Sequence, residues 1–519
     1  MSAQVAASNT GYPGGTEPEF MLRGKGSRRA ATPGSQSVHS SASNAGRPGE
    51  ECSRPVPKAG NDRWSEGTQE DGCEMKRPEE QRPAGVAATP TQAGETLRQK
   101  WHWVEPSVWT DRMLTALENG VKGNQWFSLS DKVESERNLR SAFQKVWRNG
   151  GSPGVDGQRV ESFERHQEME LAKLKEELHE GTYQPQAARR VLIPKPGSKE
   201  KRPLGIPTVR DRVVQGAIRH VLEPIFEREF AEQSYGFRPG RGCHDALGRV
   251  EELLKTGHTW VVDADLKSYF DTIPHERLME RVRERLSDGK VLGLIESYLR
   301  AGVMDTMKGW QPTEKGTPQG AVISPLLANL YLNPLDHLMA RNGVEMVRYA
   351  DDFVILCRSQ AEAEEALAQV RQWVSEEGLT LHPDKTQLVD ATQRGGFDFL
   401  GYHFERGQKW PRKKSMQKLQ AKLKPFTKRC NGRSIPDIIA RIKPIMRGWF
   451  GYFRYSKPNT FEDIDSWVRG RLRSILRKRC KRKGRARGKD HQRWPNKYFE
   501  QHGFYSLVAA VKRFRQSRA

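Results

Sequence analysis

Tyr349-Ala350-Asp351-Asp352 places two adjacent carboxylates between apolar runs that favour β-strands. Upstream, residues 260–266 (WVVDADL) form a predicted buried strand, in which period-2 alternation puts Asp263 and Asp265 on one face. Asp265 can therefore meet Asp351 across a sheet. Carboxylates buried at this density repel one another and are costly to desolvate unless divalent cations neutralise them. The pattern predicts a pair of Mg²⁺ ions and a site for two-metal phosphoryl transfer.

The Tyr-x-Asp-Asp motif is weak evidence alone, because it occurs by chance and Asp-Asp is an ordinary turn pair. Several further blocks in a fixed order make the signal specific. They are 150–157 (GGSPGVDG), 191–196 (VLIPKP), 202–207 (RPLGIP), 234–240 (SYGFRPG), 316–320 (GTPQG), 381–386 (LHPDKT), 396–402 (GFDFLGY) and 446–454 (MRGWFGYFR). With these blocks the chain resembles, from about residue 143 to about residue 453, the reverse transcriptase/maturases encoded by mobile group II introns.

The resemblance implies an α+β chain with a right-hand polymerase fold. Fingers and palm with antiparallel sheet would be followed by an α-helical thumb, which carries the maturase (X) signature, and by a basic region that binds DNA. The expected bounds are 1–98 for a disordered low-complexity extension, 99–133 for an N-terminal helical extension, 134–405 for fingers and palm, 406–468 for the thumb/maturase domain and 469–519 for the basic nucleic-acid-binding region.

The resemblance also assigns chemistry to individual residues. It implies that Asp265, Asp351 and Asp352 are catalytic and hold two Mg²⁺ ions, and that the backbone carbonyl of Leu266 also serves a metal. One ion would activate a primer 3′-hydroxyl and the other would bind the triphosphate. The separate shares of the three carboxylates stay open at this point.

Nucleotide contacts are expected on a basic hairpin and on two palm positions. Lys195 and Arg202, with Arg189 as a further candidate, would bind the triphosphate, although a solvated hairpin tip is the plainer alternative. Phe270 resembles the family's aromatic ring under the sugar, where a 2′-hydroxyl would clash; a core aromatic is the alternative. Gln319 resembles the residue near the templating base pair.

Primer and RNA contacts are expected farther along the chain. Tyr349 would pack under the primer terminus, and Phe399, Leu400 and Gly401 would form the hairpin that grips the primer strand. The candidate RNA contacts are Arg447, Arg454, Arg471, Arg473, Arg477 and Lys478.

The composition agrees with a nucleic-acid enzyme: 87 Lys+Arg against 64 Asp+Glu give a net charge of +23 over 519 residues. The expected partners are group II intron RNA, an RNA template with a DNA primer, dNTPs and target DNA, whereas the oligomeric state is open. No run of about eighteen apolar residues and no secretory signal is present, so we expect neither a membrane protein nor a secreted one. The six cysteines are scattered singly, which argues against a zinc module or a disulfide framework.

Four alternatives concern the start of the chain and its biology. The first hundred residues could instead be a transit peptide, or translation could start at Met21 or Met75. The chain ends at Ala519 without a His- and Cys-containing endonuclease module, which predicts an endonuclease-lacking type. We expect an RNA-directed DNA polymerase that also assists splicing, in the bacterial cytoplasm and with nucleoid association as one option; a maturase without polymerase activity and a domesticated defence or repair enzyme are the alternatives.

Overall fold

The computed structural model describes residues 97–194, 201–305, 307–484 and 487–517. Residues 1–96 of the predicted 1–98 extension and the hairpin tip that carries Lys195 lie outside these described residues, whereas Leu97 and Arg98 are helical. Within them, no helix has both the length and the apolar character that crossing a membrane requires.

Helices and strands occur in blocks, as expected for an α+β chain. The described strands are β1 (Ala188–Pro194), β2 (Lys201–Ile206), β3 (Trp260–Asp265), β4 (Val303–Asp305), β5 (Gly309–Gln311), β6 (Glu345–Tyr349), β7 (Asp352–Cys357), β8 (Gln387–Asp390), β9 (Phe397–Phe399), β10 (Tyr402–Glu405) and β11 (Gln408–Pro411). The α-helices are α1 (Leu97–Lys100), α2 (Asp111–Asn119), α3 (Ser130–Val133), α4 (Glu136–Asn149), α5 (Val160–Arg165), α6 (Gln167–Glu180), α7 (Val209–Glu227), α8 (Cys243–Lys255), α9 (Tyr269–Thr272), α10 (His275–Arg283), α11 (Gly289–Arg300), α12 (Ser324–Arg341), α13 (Gln360–Glu376), α14 (Lys413–Leu423), α15 (Ile435–Phe453), α16 (Asn459–Arg479), α17 (Gly488–Arg493), α18 (Asn496–Gln501) and α19 (Leu507–Gln516).

An ordered helical region precedes the first strand. Trp109, Leu114 and Leu117 are buried there, and the Trp109 indole donates a 2.9 Å hydrogen bond to the backbone oxygen of His220 in α7. Burial of these apolar side chains against α7 ties the region to the fingers.

The fingers sheet has the strand order β2-β1-β4-β5. Strands β1 and β2 form an antiparallel hairpin that pairs Val191 with Leu204 and Ile193 with Arg202, and β1 runs parallel to β4. The backbone amide of Gly205 donates to the Gln319 carbonyl at 2.7 Å. That bond fastens the fingers hairpin to the segment that precedes α12.

The palm sheet has the order β6-β7-β3-β8, and each neighbouring pair is antiparallel. Residues 353–357 of strand β7 are all apolar, because other parts of the protein cover both faces of the strand. Phe353 and Ile355 join the core that includes α12 and α13, whereas Val354 and Leu356 pack with residues of α8. The sheet is therefore held rigidly between two helical layers, and its end carries the predicted carboxylates.

Helices α14 to α19 form the thumb after a small sheet of order β11-β10-β9. The thumb core draws on the predicted apolar series of α15 and on residues near the end of the described chain. Its largest members include Phe461, Phe499, Phe450, Trp494 and Phe504.

Three of the expected domain bounds fall inside continuous structure, and the first of them, residue 98, lies within α1. Residue 468 lies within α16, and the thumb core includes both Val468 and Leu472. Residue 405 lies at the end of β10, inside its hairpin with β11. We therefore place the start of the helical thumb at α14 and treat residues 413–517 as one unit.

Candidate active site

The turn between β6 and β7 consists of Ala350 and Asp351, because Tyr349 and Asp352 are directly paired. Ala350 has φ +61°, a left-handed conformation that costs a non-glycine residue about 1–2 kcal/mol. Gly236 lies against it so closely that a Cβ there would be 2.3 Å from the Ala350 amide nitrogen. The turn is therefore held in a strained conformation by its surroundings.

The three predicted carboxylates come together at this end of the palm sheet. Asp265 is the direct cross-strand partner of Asp352, and Asp351 precedes it in the turn. All three, with Asp263, line one open cleft of about 1270 Å³. The alternation predicted for β3 is confirmed, since Val262 and Ala264 face the core.

The ionised form of this carboxylate cluster is unfavourable unless a cation is nearby. Burial, and then repulsion from Asp263, Asp265 and Asp351, raises the pKa of Asp352 to about 7. Burial also raises the pKa of Asp351, and it raises the pKa of Asp263 to about 6. Carboxyl groups crowded in this way favour bound positive charge.

Lys385 supplies one such charge. Its ammonium group contacts a carboxylate oxygen of Asp265, and the Asp265 carbonyl accepts a 2.7 Å bond from His382 of the same segment. Lys385 belongs to the LHPDKT block, for which the sequence suggested no role. Its side chain remains 57% exposed, so it can leave Asp265 when another cation enters.

The donor set fits divalent cations, although the described residues contain no ready-made group of three metal ligands. Asp265, Asp351 and Asp352 offer only hard oxygen atoms, the type that Mg²⁺ takes from proteins, and the cleft leaves room for water and phosphate. Mutual repulsion and the Lys385 contact show that this oxygen cluster is short of positive charge.

The three basic residues predicted to bind the nucleotide differ in what the structure shows of them. Arg202 is exposed and lines the carboxylate cleft, whereas Lys195 lies outside the described residues. Arg189 is half-buried and its Nε donates to the Pro153 carbonyl at 3.0 Å, which ties it to the fingers backbone. The structure thus brings Arg202, and not Arg189, to the carboxylates.

Phe270 and the GTPQG block are in contact. Thr317 donates a 2.7 Å backbone bond to the Phe270 carbonyl, and a Cβ at Gly316 would be 2.6 Å from that oxygen. The Phe270 ring is half-buried against the palm core and meets Tyr269 edge-on at 5.6 Å. One side of the ring packs in the core and the rest remains accessible, so the contact with the nucleotide sugar stays a prediction.

The predicted primer hairpin is held to the thumb. Leu400 and Gly401 form the two-residue turn between β9 and β10, with φ of +46° and +85°. The Tyr452 hydroxyl donates to the Leu400 carbonyl at 2.6 Å, and the Ser415 hydroxyl donates to the Gly401 carbonyl at 3.0 Å. Phe399 is fully buried, so it supports this turn from the core and has no surface for a primer.

Tyr349 lies beside the catalytic turn and is half-buried. Burial and contact with Cys243 raise its pKa to about 12, and its ring lies 6.5 Å from that of Phe237. It keeps an exposed side at the cleft end of β6, as packing beneath a primer would require.

The same cleft also has basic residues in its lining. Burial, followed by the charges of Lys414, Arg412, Lys422 and Arg202, lowers the pKa of Lys418. Like charges gather in this way where a polyanion lies between them. Among the described residues, the buried Nε of Arg412 and the Nε1 of Trp449 also lack a hydrogen-bond partner.

The six residues predicted to contact RNA differ in exposure and in their hydrogen-bond partners. Arg447 and Lys478 are exposed, and Arg454 is half-buried over the rings of Tyr455 and Phe514. The other three are engaged within the protein. Arg471 donates to Thr427, Arg473 to the Trp494 carbonyl and to Asn496, and Arg477 to Asp490 and the Lys483 carbonyl.

Arg473 in particular is only 3% exposed, so its burial argues against the predicted RNA contact. Its guanidinium joins α16 to the segment that begins α18. The sequence could not separate this role from RNA binding, because both place Arg on a basic helix.

A strand pair that carries opposed carboxylates, between a fingers hairpin and a helical thumb, defines a template-directed polymerase of the right-hand class. Comparison with known proteins narrows this class. Residues 193–404 match the family described as reverse transcriptase (RNA-dependent DNA polymerase), and residues 416–494 match the group II intron, maturase-specific domain. The chain belongs to the group II intron reverse transcriptase/maturase family, which confirms the resemblance seen in the sequence.

Individual proteins are similar to parts of this chain. Protein YkfC of Escherichia coli (strain K12) is 36% identical over 331 residues, which cover 54% of this chain and 86% of that protein. Group II intron-encoded protein LtrA of Lactococcus lactis subsp. cremoris is 40% identical over 195 residues, 38% of this chain and 32% of LtrA. The chain thus matches about a third of the length of LtrA. A partial Cas6-RT-Cas1–Cas2 complex matches at 26% identity and a TM-score of 0.31, over 48% of this chain and 41% of that one.

Proposed function

We propose that the protein is an RNA-directed DNA polymerase of a mobile group II intron that copies intron RNA into DNA and also binds that RNA as a splicing maturase. The pairing of Asp265 with Asp352 beside Asp351, at the end of a rigid palm sheet, carries the polymerase part of this proposal. The maturase-specific match over residues 416–494 supports the RNA-binding part.

The carboxylates would hold the reacting ends of primer and nucleotide. Asp265, Asp351, Asp352 and the Leu266 carbonyl are the groups that would bind two Mg²⁺ ions, which reverse transcriptases use to activate the 3′-hydroxyl and to neutralise the triphosphate. Asp265 and Asp352 face one another across two strands, so their separation is fixed by the sheet and not by flexible loops.

Other groups of the cleft would bind and orient the substrates. Arg202 approaches from the fingers side, where a guanidinium can bind the triphosphate in a bidentate manner. Lys385 would return toward Asp265 when the cations leave, which keeps the carboxylates neutralised between cycles. Phe270 would exclude a 2′-hydroxyl and so favour dNTPs.

The thumb side would hold the duplex. The turn of Leu400 and Gly401 would contact the primer, and Lys418 with its basic neighbours would bind the backbone phosphates. Exposed Arg447 and Lys478 are the surface cations that we retain as intron RNA contacts. With these partners we also propose a cytoplasmic, nucleoid-associated place of action and target DNA as the site of insertion.

The test is incorporation of dNTPs by the full-length protein on an RNA template with an annealed DNA primer and Mg²⁺. We expect extension by the wild type, none by the Asp351→Asn, Asp352→Asn double variant, and near-normal extension by Asp390→Asn. Asp390 is a suitable control because it ends β8 of the same sheet and its carboxylate is engaged by Thr392.

A second arm tests the maturase part by measuring self-splicing of the cognate intron RNA with and without protein. The double variant should still promote splicing, because it leaves the thumb intact. A folded wild type that promotes splicing but extends no primer would contradict the polymerase proposal, and extension without any effect on splicing would contradict the maturase proposal.

A further inference from the structure

A buried ion pair lies directly beneath the catalytic turn. Arg348 of β6 and Asp336 of α12 are both 0% exposed. The Arg348 Nε donates to Asp336 Oδ1 at 2.7 Å, and Nη2 donates to the other carboxylate oxygen. Buried pairs of this kind contribute little net stability compared with apolar residues of similar volume. Stability alone therefore does not account for this pair.

The guanidinium of Arg348 has five N–H donors, and each has a partner. Besides the two bonds to Asp336, Nη1 donates to Asn329 Oδ1 at 3.0 Å and Nη2 donates to the Ser234 hydroxyl at 2.8 Å. The remaining bond runs from Nη1 to the backbone carbonyl of Ala350 at 2.9 Å. The side chain thus connects α12 and the 234–240 segment to the turn itself.

The opposite side of the turn is fixed by the same network. Tyr235 donates a 2.9 Å backbone bond to the Arg348 carbonyl, and Asn329 Nδ2 donates to the Gly236 carbonyl at 2.7 Å. Gly236 in turn packs on the Ala350 amide. The Ala350 peptide units are therefore held at the carbonyl by Arg348 and at the amide by Gly236.

We propose that Arg348, oriented by Asp336, is a positioning residue that holds the Ala350 turn and thereby aims the carboxylates of Asp351 and Asp352. The proposal rests on the proposed polymerase function and adds to it a group that touches neither substrate nor metal. Ala350 has a backbone conformation that alanine rarely adopts, so the turn needs an external constraint. Arg348 provides that constraint through its hydrogen bond to the Ala350 carbonyl. Within its network of partners, Arg348 is the side chain that donates to the turn.

The geometry requires arginine at this position. A lysine ammonium would keep the positive charge opposite Asp336 but has three donors and no planar fork, so it cannot serve Asp336, Ser234, Asn329 and Ala350 together. Arg348→Lys should therefore preserve the ion pair and release the turn. That separation between charge and geometry makes the variant informative.

The experiment compares Arg348→Lys with Glu377→Gln, a control that weakens the palm ion pairs of Arg277 and Arg281 away from the turn. Single-nucleotide incorporation gives kcat and the dNTP KM, and amide hydrogen exchange of the substrate-free protein reports on residues 349–353. For Arg348→Lys we expect kcat to fall at least about tenfold, KM to stay within about threefold and exchange of the turn to accelerate. The control should change none of the three.

A second variant covers the case in which Arg348→Lys does not fold. Arg348→Met with Asp336→Leu replaces the pair by apolar groups of similar volume, which such sites tolerate. It should stay folded, with a lower melting temperature because Asn329, Ser234 and the Ala350 carbonyl lose a donor, and it should show the same loss of kcat and faster turn exchange. Wild-type kcat, or unchanged exchange of the turn in a folded variant, would overturn the proposal. Because exchange is measured without substrate, failure of this inference is distinguishable from an inactive wild type, which would instead refute the proposed function.

Discussion

Gly236→Ala should inactivate the enzyme through a contact of a single methyl group. The added Cβ would be 2.3 Å from the Ala350 nitrogen, 2.9 Å from the Tyr349 carbonyl carbon and 3.2 Å from the Ala350 Cα. All three are backbone atoms, so no side chain can rotate away. Ordinary contact begins near 3.4 Å, which means that the turn or the 234–240 segment must move by about 1 Å.

The expected magnitude follows from that displacement. A shift of about 1 Å in a catalytic group can reduce the rate about a hundredfold, and overpacking a tight site costs about 1–3 kcal/mol of folding free energy. Single-turnover dNTP incorporation would measure the first effect, and thermal unfolding the second. Gly248→Ala is the matched control, since that helical position has open space around it and should gain about 0.5–1 kcal/mol. A folded Gly236→Ala protein within threefold of the wild-type rate would show that the contact between Gly236 and Ala350 does not position the catalytic turn.

Three further predictions concern selectivity, pH and salt. Phe270→Ala should reduce the preference for dCTP over CTP, measured as a ratio of kcat/KM, by about tenfold or more, and an unchanged ratio would return Phe270 to a core role. Burial, and then the positive charge of Lys145, lowers the pKa of His220 to about 4, although Glu105 acts in the opposite direction. Since an unfolded histidine titrates near 6.5, the folded protein should lose stability as the pH falls from about 6.5 to 4, and urea unfolding of His220→Gln should show a smaller loss. Lys418→Ala should weaken primer–template binding and lower the slope of log affinity against log salt by about one, whereas an unaltered slope would place Lys418 outside the duplex path.

The sequence predicted the catalytic strands because period-2 alternation and the Tyr-x-Asp-Asp motif are local signals. Asp265 and Asp352 proved to be direct cross-strand partners, whereas the sequence argument paired Asp265 with Asp351. Register across a sheet depends on hairpin geometry, which a single strand does not encode. The role of Arg348 could not be predicted from the sequence for a related reason. Its partners Ser234, Asn329 and Asp336 come from distant parts of the chain.

Composition alone does not assign a role to each basic residue of the thumb. The basic run after residue 468 predicts a nucleic-acid-binding region, and its apolar residues Leu472 and Ile475 join the thumb core. Arg473 and Arg477 are engaged with backbone and with Asp490. A cationic side chain serves equally well as a helix-to-loop tie or as a phosphate contact, so charge alone does not distinguish the two roles.

Two aspartates on one strand allow a direct test of whether Asp265, opposite Asp352, belongs to the polymerase site. Asp263 and Asp265 lie two residues apart on the same face of β3, but only Asp265 is paired with the catalytic hairpin end at Asp352. Single-nucleotide incorporation on an RNA template in Mg²⁺ should fall about a thousandfold or more for Asp265→Asn, equivalent to about 4 kcal/mol of transition-state stabilisation, and at most about tenfold for Asp263→Asn. Equal losses in both variants, or a folded Asp265→Asn protein that still extends the primer, would contradict the assignment.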